Sequence, residues 1–355
     1  MWRSQKDPTE GISVPENVHS RGALSTPWFT EIEKLGSGSF GVVYRVRHNV
    51  DGKEYAVKKV QIVSKEHLQS IRNEIALLAR LDNHPNIVKY KNAFYEDNFM
   101  YIQMNIAQMN LRMWLNRRNR HPEEFNEFFK EFISKGQHFD LFHMNTKSEN
   151  ICWVCPDYLA EGNFKFNEES LGIGKQLAAA LQYIHRCNVI HNDIKPENIF
   201  INSKDCTTVV QLADFGLAQL TNFTKLCKRR QPRGTLLYAA PEKLENQGGR
   251  SSDLYSVGLI FLELLMPIRT IQDFNGIVRE AKEGQLPENL SKNYKKLIQR
   301  LLDKDPSKRP NAETLLGILE FFKINKIDAG HSEDAENQMQ KKWPQIFKEN
   351  IPKDP

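Results

Sequence analysis

The sequence predicts an α+β chain of two lobes, a small mostly β lobe followed by a larger mostly α one. Two patterns carry this reading. Alternating stretches such as Val43-Tyr44-Arg45-Val46 and Tyr55-Ala56-Val57-Lys58 occupy the N-terminal part, and alternation marks strands with one face buried. Further on, longer stretches with helical apolar spacing take over, including Leu171 to His185 and the run that opens at Asp253. Size agrees, since 355 residues that are 40% hydrophobic and 26% charged make a globular chain long enough for two such bodies.

Taken in order, residues 1–28 are rich in Ser, Pro, Gly, Asn and charge and predict a flexible tail. The first strand begins near Trp28-Phe29. Leu35-Gly36-Ser37-Gly38-Ser39-Phe40-Gly41-Val42-Val43 has the spacing G-x-G-x-x-G-x-V. Glycines there let the backbone approach phosphates closely. The alternation after it predicts a β-hairpin, whereas a dinucleotide-binding loop would open a helix. Asp51-Gly52 is a turn signal. In the strand that follows, Ala56 and Lys58 share one face and Lys59 takes the other. Ser70 to Leu81 has helical spacing at Ile71, Ile75 and Leu78, and Glu74 lies on it. His84 to Val88 and Met100 to Met104 predict a turn and two strands, the second leading into Asn105-Ile106-Ala107.

A helix starts over Leu111 to Leu115, and residues 117–168 read as an insertion. Phe125, Phe128, Phe129 and Phe132 recur at i, i+3, i+4 and i+7, one face of an amphipathic helix. That face packs on the lobe or docks a partner. Cys152-Trp153-Val154-Cys155 with His138 and His143 is the ligand inventory of a zinc site. Their order and gaps match no familiar zinc ribbon, and two ordinary thiols are the simpler reading. The helix over Leu171 to His185 leads to His191-Asn192-Asp193-Ile194-Lys195-Pro196-Glu197-Asn198. A hairpin over Ile199 to Leu212 precedes Asp214-Phe215-Gly216. Gly234-Thr235-Leu236-Leu237-Tyr238-Ala239-Ala240-Pro241-Glu242, the buried helix from Asp253, and Lys308-Arg309-Pro310 follow. Residues 323–355 turn polar and predict a second tail.

These motifs, in this order, resemble the eukaryotic protein kinases over residues 29–322, and Ile194 to Asn198 with Gly234-Thr235 look like the Ser/Thr class. The resemblance implies a bilobal kinase fold, with an N-lobe over 29–107 and a C-lobe over 108–322. It implies ATP binding by Leu35, Gly36, Ser37, Gly38, Ser39, Phe40, Gly41, Val43, Ala56, Lys58, Glu74, Met104, Ile106 and Ala107. In it Lys58 holds the α- and β-phosphates, Glu74 pairs with Lys58, Met104 is the gatekeeper, and the backbone after Met104 binds adenine. Asp193 would orient the acceptor hydroxyl and take its proton, Lys195 would reach the transferred phosphate, and Asn198 and Asp214 would hold Mg²⁺ or Mn²⁺. Glu242 would pair with Arg309, and Asp253 would hydrogen-bond the backbone of the Asp193 loop. Leu78, Tyr90, His191 and Phe215 would form the family's apolar column.

Within the kinases, Asp51 to Lys59, Tyr101 to Met104, Asn198 to Phe200 and Gly234 to Tyr238 resemble the kinases of the translation initiation factor 2 α subunit. Gly284 to Leu290 is similar to the haem-regulated member. The resemblance implies that α subunit as protein substrate, docked on a helix from about Ile271 to Glu283. Four departures stand out. The insertion follows the hinge, Asn192 replaces the usual Arg, and Arg230 stands where the family has its activating Thr. Trp28 replaces the Asp of the family's dimer salt bridge, which leaves a dimer open but that contact unmatched. A missing Arg before Asp193 and a missing Thr acceptor agree with each other, and predict activity without loop phosphorylation. The alternatives are a Wee-type inhibitory kinase and a pseudokinase scaffold whose insertion binds a partner.

Charge and composition limit the setting. A net charge of +5 calls for neither nucleic acid nor membrane. Met1 to Asp7 has no apolar core, so a signal peptide is not expected. The longest apolar run, Val257 to Ile268, is broken by Glu263 and too short to span a bilayer. Five cysteines make no disulfide framework and suit a reducing compartment. The expected location is the cytoplasm, with the nucleus left open.

Overall fold

The computed structural model describes residues 27–38, 41–120, 168–204, 207–220, 236–244, 248–266, 268, 271–288 and 290–324. The Phe stripe, Cys152 and Cys155, Ser39 and Phe40, and Thr221, Thr224, Arg230 and Thr235 lie outside these residues. The chain divides into two compact units, one of residues 1–83 and 88–107 and one of residues 84–87 and 108–355.

The first unit is a five-stranded antiparallel sheet with one helix. Strands β1 (Phe29–Gly38), β2 (Gly41–His48), β3 (Glu54–Gln61), β4 (Tyr90–Glu96) and β5 (Phe99–Asn105) lie in the order β1-β2-β3-β5-β4. The β2–β3 turn is the one Asp51-Gly52 signals. Gly52 has φ +69°, and its N–H donates to His48 O at 2.9 Å. Alternation then buries Tyr44, Val46, Val57 and Tyr101 with Phe29 in one cluster. Phe94 stacks on Phe29 and Tyr101, with centroids 5.9 and 4.9 Å apart. Gly41 cannot be replaced there. Its φ is +118°, and a Cβ would stand 2.3 Å from the Lys59 carbonyl oxygen on the neighbouring strand.

Helix α1 runs Lys65–Leu81, five residues longer at its start than the apolar spacing predicts. Ser64 explains the difference. Its hydroxyl accepts from the His67 N–H at 3.1 Å, a side-chain cap on an otherwise unpaired helix donor. The buried face carries Leu68, Ile71, Leu77, Leu78 and Leu81, and also Glu74.

The second unit is mostly helical. Strand β6 (Met109–Asn110) leads into α2 (Leu111–Arg120), so residues 117–120 of the predicted insertion are a continuous part of this helix. Helix α3 spans Glu168–Arg186, followed by β7 (Val189–Ile190), β8 (Ile199–Lys204), β9 (Thr207–Leu212) and β10 (Gln219–Leu220). Strands β6, β8 and β9 form one small sheet, and β7 pairs with β10. A short helix α4 (Pro241–Leu244) precedes α5 (Arg250–Leu265), α6 (Ile271–Lys282), α7 (Lys292–Leu301) and α8 (Ala312–Ile324).

Helix α5 is the centre of this unit. Every residue from Ser252 to Leu265 is buried, as a helix that is apolar almost all round requires. It packs closely on α7 at Gly258, where a Cβ would meet Leu301 Cβ at 2.8 Å. Residues 84–87 belong here too, although a strand is expected at their end. Asn86 Nδ2 donates to Gln176 Oε1 at 2.9 Å and to Val210 O at 2.8 Å, and Ile87 makes an isolated bridge with Leu212.

Candidate functional site

In the first unit, β3 and α1 together form a buried ion pair. Lys58 Nζ donates to Glu74 Oε1 at 2.7 Å, with side chains 8% and 9% exposed. Those values decide the role of the neighbouring lysine as well. Lys59 points to the opposite face, its Nζ 4.5 Å from the Phe99 ring centroid. Removing one member of a pair this buried costs about 3–5 kcal/mol, because the other charge is left uncompensated. Gly36 has nothing within 4 Å of where a Cβ would stand. Met104 pairs with Ala56 and with Tyr90 across the sheet, and Ile106 and Ala107 follow the end of β5, half-buried.

In the second unit, the loop between β7 and β8 places Asp193, Lys195 and Asn198 within hydrogen-bonding distance of one another. Asp193 Oδ2 accepts from Lys195 Nζ at 2.8 Å and from Asn198 Nδ2 at 2.9 Å. Asn198 Nδ2 also donates to Asp193 O at 2.8 Å. Asp193 Oδ1 is buried and has no hydrogen-bond partner. A buried acceptor left unsatisfied costs about 1–3 kcal/mol, so its retention beside two satisfied neighbours marks a place for an incoming donor.

Three groups shape this loop. Asp253 on α5 accepts from the His191 N–H and the Asn192 N–H, both at 2.9 Å, and from His185 Nε2 at 3.0 Å. Burial pushes its carboxyl up, but the hydrogen bonds it accepts from His185 and from the His191 N–H hold it below the ordinary value. His191 stacks edge-on to Phe215 at 4.9 Å. Leu78 and Tyr90, also expected in an apolar column with these two, belong to the first unit. Asn192 has φ +66°, a left-handed conformation that Asn tolerates better than most residues. Its Nδ2 donates to Leu217 O at 3.3 Å, and Lys243 Nζ donates to its carbonyl oxygen. That lysine has no motif to announce it. Burial lowers its pKa, against the pull of the Asp193 and Asp253 charges.

Asp214 comes to the same region because the Ala213 N–H donates to Asn198 O at 2.9 Å. Asp214 itself is left-handed, with φ +61°. The donor types fit a hard divalent cation, since both side-chain hydrogen bonds of Asn198 use its nitrogen and leave Oδ1 as an acceptor, and Asp214 would add a carboxylate. Among the described residues, no cluster of three or more His, Cys, Asp or Glu is arranged to hold a metal.

Two further networks surround the loop. Arg309 Nη1 and Nη2 grip Glu242 Oε1 and Oε2 at 2.6 and 2.9 Å, the ion pair that the sequence anticipates. The other was not anticipated. Arg112 on α2 donates from Nε to Glu197 Oε1 at 2.8 Å and from Nη2 to Tyr238 Oη at 2.5 Å, and Nη1 pairs with Glu263. Tyr238 Oη in turn donates to Glu263 Oε2 at 2.5 Å. Burial opposes the charge on Arg112, but its hydrogen bond to Glu263 and the Glu263 charge raise its pKa above the usual value. No sequence spacing signals this network, since Arg112 and Glu197 are 85 residues apart.

The sequence matches the family described as protein tyrosine and serine/threonine kinase over residues 29–319. This chain belongs to the protein kinase family. It is 28% identical over 345 residues to the interferon-induced, double-stranded RNA-activated protein kinase of Rattus norvegicus, covering 88% of this chain and 56% of that protein. It is 29% identical over 297 residues to the serine/threonine-protein kinase Nek1 of Mus musculus, covering 81% and 21%. A third relative, 26% identical over 330 residues, is the membrane-associated tyrosine- and threonine-specific cdc2-inhibitory kinase wee-1.3 of Caenorhabditis briggsae, covering 89% and 43%. The chain spans less than two thirds of the length of these relatives. Protein kinases as a family use ATP and Mg²⁺. Among the described residues no helix is long and apolar enough to cross a membrane.

Proposed function

We propose that this chain transfers the γ-phosphate of ATP to a serine or threonine hydroxyl of a protein. The observation that carries the reading is the half-satisfied carboxylate of Asp193. Lys195 and Asn198 hold Oδ2, and the buried, unpartnered Oδ1 is the acceptor for a substrate hydroxyl and its proton. Lys195, beside that oxygen, offsets charge on the transferred group. Lys58, kept cationic by Glu74, binds the α- and β-phosphates. Gly36, Ser37, Gly38 and Gly41 cover the phosphates by backbone, and Ala56, Met104, Ile106 and Ala107 hold the adenine. Asn198 and Asp214 would hold Mg²⁺, which supplies charge neutralisation on the phosphates. Because all of Lys58, Asp193, Asn198 and Asp214 are present, a scaffold without catalysis is the weaker reading. The sequence D-F-G at Asp214 and A-P-E at Ala240 likewise weigh against a Wee-type kinase.

We infer the initiation factor 2 α subunit as substrate from the stretches over Asp51 to Lys59 and Gly284 to Leu290. The test sets that subunit beside generic Ser/Thr peptides in an ATP-labelling assay, with Asp193→Asn as control. The variant should lose nearly all turnover while keeping nucleotide affinity within about threefold, since the hydroxyl is displaced and the phosphate contacts are not. Undiminished labelling by Asp193→Asn removes the kinase reading. Labelling of peptides but never of the subunit removes only the substrate.

A further inference from the structure

Lys243 reaches the Asp193 loop from another element, the short helix α4, and that helix is fixed first by the neighbouring residue. Glu242 is gripped by Arg309 at 2.6 and 2.9 Å and accepts from Ser252 Oγ on α5 at 2.7 Å. From this base the next side chain turns to the loop, where Lys243 Nζ donates to the Asn192 carbonyl oxygen. Gly248 stands beside both residues, since a Cβ there would lie 3.5 Å from Asn192 Oδ1 and 3.6 Å from Lys243 Cγ.

The carbonyl so held belongs to the peptide that leads into Asp193. At the other end of that peptide, the Asp193 N–H approaches His191 Nδ1 at 3.2 Å. Asn192 has φ +66°, a conformation disfavoured for a residue with a Cβ and kept only where the surroundings enforce it. Asp253 holds the Asn192 N–H at 2.9 Å, and Asn192 Nδ2 reaches Leu217 O at 3.3 Å. Rotation of the Asn192–Asp193 peptide would leave those two contacts intact and break the ones at Lys243 and His191. Of this pair the ammonium is the stronger donor, because it is charged. Its place costs hydration, since burial lowers the Lys243 pKa against the pull of Asp193 and Asp253, with Lys195 adding to the lowering. We propose that Lys243 is a positioning residue for phosphoryl transfer, its ammonium fixing the Asn192–Asp193 peptide and with it the direction in which Asp193 Oδ1 faces the acceptor hydroxyl. This rests on the transfer reading above. In this role Lys243 acts through Asp193, so it governs kcat and leaves nucleotide binding alone.

The test measures kcat and ATP affinity with the full chain, on a generic serine peptide or the initiation factor subunit, whichever wild type labels. Lys243→Met keeps the stem and removes the charge. It should lose about tenfold or more in kcat while ATP affinity stays within about threefold. Lys243→Arg, a cationic donor of similar reach, should recover kcat to within about threefold of wild type. A kcat for Lys243→Met within about twofold of wild type overturns the proposal. So does a parallel loss of kcat and ATP affinity that Lys243→Arg does not recover, which marks a structural lysine. Should Lys243→Met fail to fold, the pH dependence of kcat in wild type and Lys243→Arg decides. The charged groups facing Lys243 are Asp193 and Lys195 on the loop and Asp253 on α5. A lysine is charged below its lowered pKa and neutral above it, whereas arginine stays charged throughout. The kcat of wild type should therefore fall at alkaline pH before that of Lys243→Arg does, and superimposable profiles overturn the proposal. A wild type that labels neither substrate overturns the transfer reading and this proposal with it, whereas an active wild type matched by Lys243→Met overturns this proposal alone.

Discussion

The Asp193 N–H approaches His191 Nδ1 at 3.2 Å, while His191 Nε2 lies 2.9 Å from Ala213 O. One tautomer satisfies both contacts, with Nδ1 accepting and Nε2–H donating. A proton on Nδ1 would confront the Asp193 N–H, so the folded loop requires neutral imidazole. Burial lowers the His191 pKa, against the raising effect of the Asp253 and Asp193 charges. The sign follows from linkage. Between the depressed folded pKa and the unfolded value of 6.5, the unfolded chain binds the proton and the folded chain does not. Stability is therefore full above pH 6.5 and falls below it, with a slope of up to about 1.4 kcal/mol per pH unit. Urea midpoints measured between pH 7.5 and 5 should fall, and His191→Gln should flatten the decline. An equal decline in both proteins would remove His191 as its source. Asp193, Lys195 and Asn198 could be grouped from sequence because they share one short loop, where they lie within hydrogen-bonding distance. Lys243 and Arg112 were hidden because each serves the loop through contacts across distant parts of the chain, with no fixed spacing to read.

At the scale of the element, α5 shows what the apolar pattern can and cannot convey. Its burial was readable, since a run from Val257 onward with one charge can only lie inside. What that pattern does not reveal is that the helix also anchors polar groups, Asp253 to the His191 and Asn192 amides and Glu263 to Arg112. Asp253→Ala leaves two buried N–H donors without an acceptor. At about 1–3 kcal/mol each, a loss of roughly 2–6 kcal/mol is expected by chemical denaturation, with turnover reduced more than nucleotide affinity. Asp253→Asn keeps one acceptor oxygen and should lose less. If both variants melt within a few tenths of a kcal/mol of wild type, the helix is not what holds the loop. Helix α1 gives the converse lesson, because its apolar spacing was read correctly and its start was not. Ser64 lies outside the periodic stretch, and a cap is recognised from one side chain, not from a pattern.

At the scale of the whole molecule, the docking idea can be narrowed. Helix α6 carries Arg279 exposed on its surface, whereas Lys282 is half-buried and donates to Leu237 O at 3.3 Å. Reversing Lys282 would disturb the segment that bears Tyr238, so it cannot report docking cleanly. Arg279→Glu alone should weaken phosphorylation of the initiation factor subunit by about three- to tenfold in KM and leave a short peptide unchanged, since remote contacts act through positioning. Equal loss on both substrates would argue against a docking helix. Trp28 is 55% exposed, with Val50 at 78% and Ile32 at 40%. The first three strands, helix α1 and the buried helix α5 were legible from alternation and spacing, whereas α7 and α8 were not read. The assignment of residues 84–87 to the second unit was not, because Asn86 carries it through side-chain bonds to Gln176 and Val210 that leave no periodic trace.

That assignment decides how the gene can be cut. The polypeptide passes from one unit to the other at residues 83 and 84, returns at 87 and 88, and crosses again after 107. Scission at any single peptide bond thus yields no pair of pieces that are each whole. A fragment beginning at Gln108 would lack the four residues whose backbone and side chain bond Leu212, Val210 and Gln176. Strand β9 would then keep its Gln176 contacts but lose the acceptor for the buried Leu212 N–H. Expressed halves should accordingly be aggregation-prone alone, and insertions used to split or tag the protein belong elsewhere in the chain.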